Sequence, residues 1–255
     1  MIVSTDAIIL RSMKYGETSK IVTLYSQKFG KIKVIAKGAR STKNRFGASL
    51  EPMTHSSVIL YKKEERDLHL LSKCEITKPY LKFSGNGDRL ATGLALVELV
   101  NMVMHDEEEN LPMFDLLVES LEAVDKASKH EVNIFFAFEL RLLEIFGYGL
   151  NLHHCSRCGR NVVEGRHGDE VFLLLASGSV MCSECHSSSN AGGVKVPTEM
   201  VRLLFRLQSL PLASIVDVRL ALPMRDEILG TLHTYMKYHI AGVRTLKSLS
   251  LFTNV

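Results

Sequence analysis

No window of the 255-residue chain reaches the roughly 18 uninterrupted apolar residues of a membrane-spanning helix, and no basic stretch precedes an apolar run in the N-terminal MIVSTDAIIL. A membrane span and a secretory leader are therefore not expected, and the chain reads as a folded cytoplasmic protein with no membrane partner. Tryptophan is absent and aromatic residues make up only 7%, but 46% hydrophobic and 23% charged residues stand near the globular average, which excludes a disordered chain. Cysteine is scarce. Of the five, four fall in two C-x-x-C pairs, a usage that fits metal ligation in a reducing compartment better than a disulfide framework. The fifth, Cys74, is expected to be a small buried hydrophobe.

Several catalytic signatures are missing as well. No G-x-x-x-x-G-K-[ST], H-E-x-x-H or G-x-S-x-G occurs, which argues against a nucleotide-driven motor, a zinc protease and a serine hydrolase. His105-Asp106-Glu107 followed by Cys155-x-x-Cys158 has a superficial likeness to a zinc deaminase. No proline precedes Cys155, the second cysteine pair would have no role, and Asp106-Glu107-Glu108-Glu109 reads better as a solvated helix boundary. A non-enzymatic protein is expected.

What is present is a charge split. The net charge of +3 conceals +9 over residues 1–82, where 16 basic residues face 7 acidic ones, and −9 over residues 83–150. From Lys28 to Arg45 seven cations occur without one acidic residue, and Lys31, Lys33, Lys37, Arg40, Lys43 and Arg45 are the candidate contacts to a polyanion. About five phosphate contacts would give log K a slope near −4.5 against log salt. Gly38 would let backbone approach a phosphate, and Tyr15, Tyr25, Phe29 and Phe46 are candidates for stacking on unpaired bases or, alternatively, for the core.

The first 82 residues alternate apolar and polar positions over Asp6 to Met13, Lys20 to Ser26, Lys31 to Ala36, Ser56 to Tyr61 and Leu68 to Ile76. Five short strands suit a Greek-key barrel of the OB type, whose nucleic-acid face centres on strands two and three, although periodicity leaves the topology open. From Asp88 the period becomes helical, which places a domain boundary near residue 82, and further helices are expected at about 111–127, 131–147, 197–209 and 224–240. Residues of about 150–195, rich in Gly, Ser and His, interrupt them. The architecture is α+β and multidomain: an OB-fold over 1–82 and a helical domain over 83–255 with a metal-held insert.

That insert carries Cys155, Cys158, Cys182 and Cys185, two knuckles separated by 23 residues, with Glu170 to Leu175 as a strand between them. Four thiolates fill a tetrahedral sphere and leave no open position for water, so the site is read as structural Zn2+, with iron equally compatible with the sulfurs. An insert with little core of its own would depend on the metal to fold. His153, His154 and His186 flank the cysteines and could replace one ligand.

In order along the chain, Asp6-Ala7-Ile8-Ile9-Leu10-Arg11, Tyr15-Gly16-Glu17, Gly30-Lys31, Lys37-Gly38-Ala39-Arg40, Arg45-Phe46-Gly47-Ala48-Ser49-Leu50-Glu51-Pro52, Phe138-Glu139-Leu140-Arg141, Phe146-Gly147-Tyr148-Gly149, the Cys155 knuckle and Leu246-Lys247-Ser248 are similar to the bacterial RecO family of recombination mediators. The resemblance implies an N-terminal OB-fold, a helical C-terminal domain with a zinc-finger insert, and activity without nucleotide hydrolysis. It implies binding of single- and double-stranded DNA, annealing of complementary strands, engagement of the single-stranded-DNA-binding protein, and loading of RecA together with RecR at the nucleoid. By motif, Lys37, Arg40 and Arg45 would contact DNA and the four cysteines would hold zinc. A zinc-ribbon RNA-binding or transcription-associated module is the alternative, distinguished by competition between single-stranded DNA and RNA.

Overall fold

Strands form where the period-two alternation runs, and each extends slightly beyond the sequence expectation. The computed structural model, which describes residues 1–251 except 43, 64, 65, 81, 166 and 167, has β1 (Ile2–Tyr15), β2 (Ser19–Ser26), β3 (Gly30–Ala36), β4 (His55–Tyr61) and β5 (Leu68–Lys78). They close in the order β1-β2-β3-β5-β4, with β3 and β5 parallel and β4 antiparallel to β1. This is the OB-type barrel expected from the sequence. Its interior is filled by the inward half of the alternation: Ala7, Ile9, Val22, Leu24, Ile32, Val34, Ala36, Val58, Leu60 and Leu71. Closure leaves the small barrel no free edge strand. Cys74 is buried in this core, its Sγ 3.4 Å from the Ser49 carbonyl oxygen.

The strand-to-helix change falls where the sequence period changes, but compactness is divided further along. One unit comprises Met1–Lys126 with Leu246–Thr253, and the other is essentially Ala127–Thr245. Helices α1 (Gly87–Val103) and α2 (Leu111–Lys126) thus belong with the barrel. The reason is packing. Phe114 of α2 lies against Tyr25 of β2 and His55 of β4, with ring centroids 6.4 and 6.1 Å apart, so this side of the barrel wall is covered by a helix. The C-terminal 3-10 turn Lys247–Leu251 returns to α1, where the Glu98 carboxylate accepts from the Lys247 and Ser248 N–H groups and the Ser248 hydroxyl at 2.7–2.9 Å.

The connection between α1 and α2 corrects one expectation. Asp106 to Glu109 does join two helices, but it is not merely a solvated boundary. It clasps the start of β3, where β5 has not yet begun to pair: Lys31 bridges Asp106 and the Glu107 N–H donates to the Lys31 carbonyl at 2.8 Å. Gly30 permits this. It sits at φ +61°, and a Cβ there would stand 1.9 Å from the Glu108 carbonyl oxygen. Gly30→Ala is expected to cost about 3 kcal/mol or more, combining left-handed strain with displacement of the clasp, read as a lowered urea midpoint.

The second unit is built on α3 (Val132–Ile145), buried on nearly every side by Phe135, Phe136, Phe138, Leu140, Leu142 and Leu143. It packs with α5 (Thr198–Ser209), the short α6 (Leu212–Ile215) and α7 (Leu222–His239). Gly147, at φ +80°, ends α3 as its position at the close of the apolar period requires, with the Tyr148 N–H returning to the Leu143 carbonyl at 2.7 Å. The cysteine segment is more substantial than a ribbon with little core. β6 (Asn151–Cys155), β7 (Glu170–Leu174), β8 (Ser179–Cys182) and β9 (Val194–Pro197) form a sheet in the order β6-β8-β7-β9, burying Leu152, Val171, Leu173, Val180 and Val196. Short α4 (Ser183–Ser187) follows β8.

Candidate nucleic-acid interface and metal centre

The basic loop after β3 is held at several points, so its cations stand on a defined backbone. Gly38, at φ +73°, makes the turn in which the Ser41 N–H and hydroxyl both donate to the Gly38 carbonyl. Ala39 is buried in the barrel core, and the Arg40 N–H donates to the Thr18 carbonyl at 2.8 Å. Phe46 and Leu50, around the 3-10 turn Gly47–Leu50, enter the same core and anchor the far end. Lys37, Arg40 and Arg45 point out between these anchors and are exposed. Arg40 donates to the Gly16 carbonyl at 3.0 Å, and the Arg45 guanidinium lies 5.1 Å from the Phe46 ring centre. Neither Lys37 nor Arg45 has an ion pair among the described residues; Lys43 lies outside them.

Lys31 and Lys33 differ from these three. Both pair with Asp106, at 3.1 and 2.8 Å, and Lys31 also donates to the Asn101 carbonyl at 3.2 Å. Glu107 pairs with Lys62 and lies 3.1 Å from His69. Partial burial opposes ionisation of Asp106, but the lysine contacts outweigh it and hold the carboxyl below the usual range; Lys62 does the same for Glu107. A folded value below the unfolded one means that these pairs favour the fold above the ordinary carboxylate range and lose that contribution as pH falls through the depressed value. Part of the −9 segment is thus used against the +9 segment within the same unit. Periodicity could not have shown this, because the partners are about seventy residues apart.

The structure also separates the candidate stacking residues. Tyr25 and Phe46 are buried and Phe29 packs against the barrel core, whereas Tyr15 is 51% exposed. The outcome follows strand phase: Tyr25 is on the outer wall but covered by Phe114, and Tyr15 extends past that cover.

The four cysteines converge. All four Sγ atoms lie within 4.8 Å of one another, and no histidine or carboxylate joins the group. His186 instead stacks on Phe172 at 3.5 Å and His153 on Phe205 at 5.0 Å. The first knuckle is a tight turn closed by the Gly159 N–H on the Cys155 carbonyl, with Gly159 at φ +72°. The second joins the end of β8 to α4. Arg157 straps the two together, its Nη1 donating to the Cys185 and Ser188 carbonyls at 3.0 and 2.9 Å and to the Ser188 hydroxyl at 3.0 Å. Burial opposes ionisation of Cys155, but the N–H groups of Cys158, Cys182 and Arg157 overcome it and bring the thiol to about 6. Contact with the Cys182 sulfur pushes Cys185 up to about 12. Crowded sulfurs that resist joint ionisation are the donor set a soft divalent cation would stabilise. These residues fit a structural metal.

A family model described as Recombination protein O N terminal matches residues 1–80, and one described as Recombination protein O C terminal matches residues 84–250. The chain belongs to the RecO family. Curated relatives named DNA repair protein RecO include those of a Nocardioides species, 32% identical over 98% of both chains, and Salinibacter ruber, 31% identical over 100% of this chain and 94% of its own. That of Chloroherpeton thalassium is 27% identical over 100% of this chain and 99% of its own. In this RecO-family chain the motifs quoted from the sequence stand at constrained points. Gly30 admits the acidic clasp, Ala39 and Phe46 anchor the basic loop, Gly147 ends α3, and Ser248 meets Glu98. Glu98 escaped sequence reasoning; its place on an otherwise apolar α1 was the available signal.

Proposed function

We propose that this chain serves DNA repair and homologous recombination as a mediator without a catalytic step. It binds single- and double-stranded DNA, anneals complementary strands and, with RecR, helps load RecA onto DNA coated by the single-stranded-DNA-binding protein. The observation that carries the DNA reading is the anchored loop presenting Lys37, Arg40 and Arg45 outward from an OB-type barrel in a RecO-family chain. Lys43 lies on the same loop, and Lys31 and Lys33 join when phosphates compete with Asp106 for them.

Two strands approaching each other repel through their phosphates. Cations fixed on one wall release condensed counterions and lower that repulsion, so complementary bases meet and pair without any bond being made or broken in the protein. The helical unit is assigned the protein partners. Cys155, Cys158, Cys182 and Cys185 hold Zn2+, which supplies only cross-linking of the two knuckles; four thiolates leave no position for a reacting water. The cytoplasm, at the nucleoid, is the matching location, and no helix among the described residues is long and apolar enough to cross a membrane.

The test uses complementary oligonucleotides coated with the single-stranded-DNA-binding protein. The chain should accelerate their pairing with no nucleotide present. Pairing at the uncatalysed rate, or only on hydrolysis of a nucleotide, would refute the mediator reading.

A further inference from the structure

The outer wall of the barrel is covered at one end and bare at the other. Strand register places Tyr25 opposite Ile8 on β1 and opposite Lys31 on β3; at this end α2 and the acidic clasp lie over the wall. Two steps along each strand, the outward positions are Arg11, Thr23, Lys33 and Leu68; two further, they are Met13, Ile21, Ile35 and Leu70; beyond these Tyr15 pairs with Ser19. The alternate residues Val22 and Val34 are fully buried, which fixes the first set as outward-facing.

This bare end is unusual in what it exposes. Met13 is 45% and Tyr15 51% exposed, while Ile21, Ile35 and Leu70 are half-buried, so an apolar row crosses four strands where solvated strands normally place polar groups. The row beside it begins with Arg11, which has no ion pair among the described residues, and includes Lys33, which shares Asp106 with Lys31. No acidic side chain stands in any of the three rows. A second copy of the chain would bring the same cations against these and be repelled. The occupant complementary to both rows is a polyanion carrying flat, weakly polar groups.

We propose that Tyr15, with Met13, Ile21 and Ile35, forms a platform on which unpaired bases of single-stranded DNA stack, and that Arg11 and Lys33 follow the adjoining phosphates. The proposal rests on the DNA reading above and divides it. The 37–45 loop acts on phosphates of any strand, and the platform acts on bases only where they are unpaired. Tyr15 is suited to this because a base stacks on its ring at the end of the β1–β2 hairpin without displacing any core side chain.

The experiment measures fluorescence anisotropy with the full chain at one salt concentration, using an oligo(dT) strand and an abasic phosphodiester strand of equal length. Tyr15→Ala should weaken oligo(dT) binding about tenfold or more, leave abasic binding and the salt slope unchanged, and be rescued by Tyr15→Phe. Met13→Ala, a change at an exposed site, should weaken oligo(dT) selectively as well. Equal weakening of both strands, no effect on either, or a change in the assembly state of the chain would each overturn the platform. Failure of the unaltered chain to bind either strand would sink the DNA reading and the platform with it.

Discussion

Serine at Cys155 and Cys158 is expected to lower the unfolding midpoint of the 127–245 unit by an amount worth several kcal/mol, while leaving DNA affinity unchanged. Stripping the metal with a chelator should do the same. In isolated zinc-finger peptides the metal supplies on the order of 10 kcal/mol of folding free energy, because nothing else holds the turns. Here the β6–β9 sheet buries five apolar side chains of its own, and Arg157 straps the knuckles, so that figure is an upper bound. Damage should begin at the two turns, Cys155–Gly159 and Cys182–Ser188, and helical structure should persist after they loosen. Stoichiometric metal analysis paired with thermal unfolding checks this, since metal content and midpoint should fall together. A cysteine variant that stays folded yet loses DNA binding would show that the metal site belongs to the DNA interface.

Reversing charge at Lys37, Arg40 and Arg45 should have the largest effect on binding. If each cation meets one phosphate, the three together contribute about −2.7 to the slope of log K against log salt on duplex DNA, which at 0.1 M salt corresponds to roughly 500-fold in affinity. The sequence alone suggested about five contacts and a slope near −4.5. Asp106 changes that count, because it already occupies Lys31 and Lys33. A salt titration of the triple variant Lys37→Glu, Arg40→Glu, Arg45→Glu should therefore give a slope shallower by at least about 2.7. These side chains are exposed, so the unfolding midpoint should barely move.

What the sequence revealed follows from the range of its signals. Strand alternation repeats every two residues and survives in segments of seven or eight, so β2 and β3 were legible to within a residue or so. The helices of the second unit were legible from their apolar period, and α3 also from the glycine at its end. The metal group was legible because each C-x-x-C pair is local and its chemistry leaves few alternatives. The strands β6, β8 and β9 are four or five residues long, too short for a period to declare itself, and β6 pairs parallel with β8 across an intervening strand of sequence. The acidic clasp was misread for a related reason. Its ion pairs join residues about seventy positions apart, and only the fold brings Asp106 to Lys31 and Lys33. Burial likewise removed Tyr25 and Phe46 from the stacking candidates and kept Tyr15, a distinction of coverage that composition does not carry.

The central claim is that fixed cations on the barrel, and not the metal centre, bring DNA strands together. The most direct measurement is the rate at which complementary strands coated by the single-stranded-DNA-binding protein pair in the presence of three proteins: the unaltered chain, the Lys37, Arg40 and Arg45 charge-reversed variant, and the Cys155 and Cys158 serine variant held below its unfolding midpoint. The unaltered chain and the cysteine variant should anneal at similar rates, and the charge-reversed variant should fall to the spontaneous rate. Undiminished annealing by the charge-reversed variant would contradict the claim.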